Sequence, residues 1–197
     1  MPTDRNVSSL GRREFMKIAG GSAACLLFSR AVARGNWEAL QPTLVTLPKF
    51  TEPLPIPPVI DATQGGTFEL RMAPAFHTFH SSLPAAPTWG YGGAPFLGPT
   101  FNVKRGVPIS VNALNDLAGH PLDFAIDTDL HGASETDRTH PRASLHLHGG
   151  NTEPESDGHP EDTFLPGHGK TYHYANDQEA AGLWYHDHAL GITRLNV

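Results

Sequence analysis

SLHLHGG at residues 144–150 and LWYHDHALGITRLNV at residues 183–197 decide how this chain is read. Each contains a His-x-His pair, His146 with His148 and His186 with His188. The flanking Ser144, Leu145, Leu147, Leu183, Trp184 and Tyr185 are apolar or β-favouring, so both pairs are expected on strands. On a strand, residues i and i+2 share a face, with Cα atoms about 6.6 Å apart. That spacing is awkward for gripping one ion and suits ligation of two neighbouring ions. Two such strands side by side would bring four imidazoles to one place. Imidazole suits copper, zinc, iron and nickel, so the ligand type alone does not choose the metal.

Outward from the pairs, the pattern predicts an all-β domain. With Gly 20 and Pro 18 in 197 residues, and no long apolar stripe of helical period, a helical protein is excluded. Strands are predicted over 67–72, 100–103, 108–114, 124–126, 143–148, 170–174 and 182–188. Residues 81–99 read as turn-rich, and 127–142 and 149–169 as polar loops. Short strands with a turn every ten or so residues point to a Greek-key sandwich or barrel. Residues 34–66, with Pro53, Pro55, Pro57 and Pro58, read as an extended arm.

The first 33 residues read as an export signal. Arg12 and Arg13 precede a moderately apolar run that closes on Ala31, Val32 and Ala33, an A-x-A cleavage pattern. The twin arginines predict the Tat route, to the periplasm or the cell exterior. Without this segment the chain keeps nine basic and 18 acidic residues, a charge near −9. That balance argues against a nucleic-acid partner, whose binding needs Lys and Arg on phosphates. The only cysteine, Cys25, lies inside the signal, so stability must come from the core and any bound metal.

Eight of the 12 histidines fall between His140 and His188. His77, His80, His120, His131, His140, His159, His168 and His173 read as surface or core residues, and the two pairs as metal ligands. Trp184, Tyr185, Trp89 and Phe101 read as packing. Asp187, between the second pair, should point to the opposite face, there either orienting an imidazole or meeting solvent.

WGYGGAPFLGPTFNVKRG (89–106), LHLHGGNTEPESDGHPE (145–161) and the 183–197 stretch closely resemble the first cupredoxin domain of multicopper oxidases, in the branch with spore-coat laccase, bilirubin oxidase and phenoxazinone synthase. The resemblance implies a cupredoxin-like (plastocyanin-like) domain over 67–197, incomplete at its C-terminal end. It implies His146 as a ligand of a type 2 copper, His148 and His186 of one type 3 copper, and His188 of the other. Asp157, eleven residues after His146, corresponds to an acid near the cluster that would supply protons for dioxygen reduction; the other reading is a loop aspartate capping a turn before Gly158. The family's other two ligand motifs and any type 1 copper thiolate do not occur in these residues. The implied function is therefore the N-terminal part of a laccase-like oxidase of phenolic or aromatic donors or metal ions. It would be inactive alone and would need further cupredoxin domains of the same protein. The other reading is a non-catalytic copper-binding or copper-buffering protein of the cell envelope.

Overall fold

A computed structural model describes residues 46–197; the signal segment, Cys25 and the start of the arm lie outside the described residues. Among those described, eight strands dominate. They are β1 (Val59–Ala62), β2 (Gly66–His77), β3 (Ala86–Tyr91), β4 (Thr100–Val103), β5 (Ile109–Asn115), β6 (Leu145–His148), β7 (Gly169–Tyr174) and β8 (Trp184–Asp187). One short helix, α1 (Thr193–Asn196), follows the last strand. The fold is all-β, as the strand pattern predicts, and cupredoxin-like, as the resemblance implies.

The main sheet has the order β3-β2-β5-β7, with β2 and β5 parallel and the other neighbours antiparallel. Apart from the β2–β3 pair, strands consecutive in sequence are dealt to different sheets. β4 leaves to pair in parallel with β1, and β6 leaves to pair with β8. The β4–β5 connection is thus a crossover between sheets. β5 sets the core: Ile109, Val111, Ala113 and Asn115 are buried at every second position, the period a strand requires.

Three segments differ from the pattern reading. Residues 124–126 are not a strand: Asp123–Ala125 forms a 3-10 turn in which only the following Ile126 is buried, and Phe124 faces out. The turn-rich stretch contains β3, whose Pro87 is tolerated because β3 is the sheet edge. Within the proline-rich stretch 34–66, Val59–Ala62 pairs with β4 and Ala62 is fully buried.

Phe50–Val197 forms one compact unit. Its β6–β8 ribbon packs against the main sheet through Tyr172 of β7, whose hydroxyl accepts the Leu145 N–H at 3.1 Å. Leu145 and Tyr172 are both buried, with Leu147 and Tyr185 packed against the same cluster. Beside them an open, mostly apolar cavity of about 640 Å³ is bordered by Leu70, Met72, Trp89, Phe101 and Tyr185.

Candidate metal centre

The ribbon explains how four imidazoles meet. β6 and β8 run antiparallel with His146 opposite His186 and His148 opposite Trp184. The ladder continues one step past β8, where the His188 N–H donates to the Ser144 carbonyl at 2.8 Å. Alternation then divides the ribbon. Leu145, Leu147, Tyr185 and Asp187 face the core, and the four histidines and Trp184 face the other way. Ring centroids of His146 lie 5.7, 5.3 and 5.1 Å from those of His148, His186 and His188.

Backbone carbonyls set the tautomers of two rings. His146 Nδ1 lies 2.5 Å from the Asp157 carbonyl oxygen, and His186 Nδ1 lies 2.7 Å from the Asp187 carbonyl oxygen. A carbonyl only accepts, so both Nδ1 atoms carry hydrogen and both Nε2 atoms keep a lone pair. His148 Nδ1 faces His186 Nε2 at 3.4 Å. Two imidazole nitrogens bound at about 2.0 Å to one ion at a near-tetrahedral angle stand about 3.3 Å apart. One nitrogen each from His146, His148 and His186 lie within 4.8 Å of one another. The fourth ring carries a different sign of the same thing: His188 Nδ1 is buried with no hydrogen-bond partner, a state that ordinarily marks an absent ion or water. The donor set fits a metal.

Electrostatics agree. Burial pushes the His186 pKa down, and the neighbouring imidazoles add to this against the pull of its bond to the Asp187 carbonyl. A neutral imidazole is the form that binds metal.

Asp157 enters through its backbone. Its carbonyl holds His146, while its carboxylate accepts from Thr152 Oγ1 at 3.1 Å and stands 3.6 Å from His146 Nδ1. The next residue makes this possible. Gly158 has φ +74°, and a Cβ there would fall 2.0 Å from the Leu145 carbonyl oxygen and 2.7 Å from His146 Cα. Only glycine lets the 157–158 turn press on β6 so closely. The Asp157-Gly158 pair signals a turn in the sequence but not what the turn rests against.

Asp187 points away from the histidines, as alternation requires, but it does not reach solvent. Its buried carboxylate accepts from Ser144 N at 2.8 Å, Ala189 N at 3.0 Å and Asn196 Nδ2 at 2.7 Å. It fastens both strands of the ribbon and α1 from behind. Burial raises its pKa to about 6, against the lowering effect of these donors.

Tyr185 packs, as read from the sequence. Its hydroxyl donates to the Pro99 carbonyl at 2.7 Å, and a Cβ on Gly98 would meet that hydroxyl at 2.3 Å. The glycine-rich 89–106 stretch is thus the bed on which β8 lies. Trp184 differs: it is 49% exposed and stacks on His186 and His148, at 4.2 and 5.2 Å between ring centres. Of the remaining histidines, His80 and His120 are buried with partners, His120 Nε2 lying 3.0 Å from Asn196 Oδ1.

Residues 136–195, which span both His-x-His pairs, match the family model described as multicopper oxidase. Over this region the chain is similar to the multicopper oxidase family. It is 39% identical over 168 residues to a laccase of Bacillus subtilis, covering 78% of this chain and 32% of that protein. It is 36% identical over 161 residues to a bilirubin oxidase of Albifimbria verrucaria, covering 76% of this chain and 24% of the relative. The chain therefore spans a third or less of these curated relatives. Among solved structures, a laccase from Pediococcus acidilactici superposes with a TM-score of 0.56 at 23% identity, over 76% of this chain and 28% of that one. That likeness concerns the fold. Copper is the metal of this family, and His146, His148 and His186 are grouped closely enough to hold a metal ion.

Proposed function

We propose that this chain is the first cupredoxin domain of an exported, laccase-like multicopper oxidase and supplies half the ligands of its trinuclear copper cluster. His146 holds the type 2 copper, His148 and His186 share one type 3 copper, and His188 serves the other. The observation that carries this is the 3.4 Å approach of His148 Nδ1 to His186 Nε2 across the ribbon, with His146 beside them. Its support from relatives is the likeness to a laccase and a bilirubin oxidase.

Copper, when bound, supplies one-electron chemistry with dioxygen. The chain's own residues orient and neutralise. The Asp157 and Asp187 carbonyls fix two ring tautomers, and burial keeps His186 unprotonated at neutral pH. The Asp157 carboxylate, close to His146 and partly exposed, delivers protons to the product side of the reaction. Phenolic or aromatic molecules or metal ions donate the electrons, at a site built by further cupredoxin domains of the same protein. Arg12 and Arg13 send the protein through the Tat route to the periplasm or beyond.

The test is dioxygen uptake by the copper-loaded full-length protein with a phenolic donor. Uptake is expected, with loss of at least about a hundredfold in His148→Ala and His186→Ala. Copper binding without any uptake favours the second reading, a non-catalytic copper buffer, for which three grouped histidines suffice. Secretion of the Arg12→Lys, Arg13→Lys double variant should fail; unchanged export would remove the Tat assignment.

A further inference from the structure

We propose that Trp184 is a positioning residue for the metal held by His148 and His186, working as a flat backing plate for both rings. The inference rests on the copper reading above and deepens it. Trp184 lies opposite His148 in the ribbon and two residues before His186 on β8. Its ring plane is tilted only 23° from that of His148 and 27° from that of His186. Its two ligand contacts are therefore both stacked. By contrast, His146 meets His148, His186 and His188 edge-on, at 67–79°. One indole thus touches by its face the two imidazoles whose nitrogens are 3.4 Å apart.

Burial does not explain this placement, since Trp184 is half exposed while Tyr185, beside it, packs against the core. Stacking constrains ring rotation, which is what a ligand pair needs if its nitrogens are to converge before the ion arrives. The constraint also favours the loaded state. An imidazole bound to a cation is electron-poor, and the electron-rich face of an indole attracts it more strongly than a neutral ring. Phenylalanine at this position keeps an aromatic face; leucine keeps apolar bulk without one.

The experiment compares wild type, Trp184→Phe and Trp184→Leu of the full-length protein by copper titration against a competing chelator, with thermal unfolding of the metal-free forms alongside. Trp184→Leu should bind at least one copper about tenfold more weakly, the size expected when a group supporting a ligand is lost. Trp184→Phe should recover to within about threefold, and the metal-free midpoints should agree within about 2 °C. Unchanged affinity in the leucine variant overturns the inference. So does equal weakening in both variants, or weakening that simply follows a lowered metal-free midpoint. If wild type takes up copper no better than His148→Ala, the metal assignment itself fails, and that result is separate from the behaviour of Trp184.

Discussion

At the scale of single residues, the site is held by atoms that side-chain chemistry does not advertise. Asp157 attracts notice for its carboxylate, yet its carbonyl oxygen is what holds His146. Asp157→Asn should accordingly leave copper content intact and lower turnover, most steeply at high pH where protons are scarce; metal analysis beside oxygen-uptake kinetics separates the two. Gly158→Ala should instead act on the fold and on copper content. The added methyl meets β6 backbone and the positive φ is strained, so a loss of about 2–4 kcal/mol is expected in urea unfolding, together with loss of copper at His146. The His-x-His spacing made the grouping of the four histidines legible from sequence because a strand's period converts spacing directly into a shared face. Gly158 was not legible in the same way, since its neighbour is 13 residues back and the contact exists only once the loop has folded.

The strands are where local pattern and long-range pairing part company. β5 and β7 were readable because their alternation reports a half-buried surface. β1 and β3 were obscured by prolines, which are compatible with strands at an edge or just before one but mask the pattern. The triplet 124–126 looked like a strand because three apolar letters in a row carry no period, and no neighbour exists to pair with it. The β6–β8 ribbon depends on two rivets on its inner face. Tyr172→Phe removes the acceptor for the buried Leu145 N–H and should cost about 1–2 kcal/mol. Asp187→Ala strands three donors, on Ser144, Ala189 and Asn196, and should cost more, about 3 kcal/mol or above. Chemical denaturation of metal-free protein measures both, and a smaller loss for Asp187→Ala than for Tyr172→Phe would contradict the account of how the ribbon is fastened.

For the molecule as a whole, pH acts on stability through His186 together with other buried groups, His120 shifted the same way and Asp187, raised to about 6, acting with the opposite sign. The folded pKa of His186 is depressed by burial, so the unfolded chain takes up this proton more readily than the folded one. The contribution to stability is intact above about 6.5 and is lost as pH falls below it. Metal-free wild type should therefore lose more stability between pH 7.5 and 5.5 than His186→Asn, as followed by urea unfolding at each pH. Equal pH dependence would mean that His186 is not held neutral by its surroundings.

The ribbon carries the four histidines on one face and core residues on the other, with a single hydrogen-bonded ladder between them. Metal capture and folding are consequently one linked equilibrium. Each ion that the histidines bind tightens the same strands that seat Leu145 and Tyr185, so copper at a hundred times its dissociation constant should raise the unfolding free energy by about 2.7 kcal/mol. A substitution in the hydrophobic bed around Gly98 would then surface first as a copper-retention defect, long before the fold itself is visibly lost.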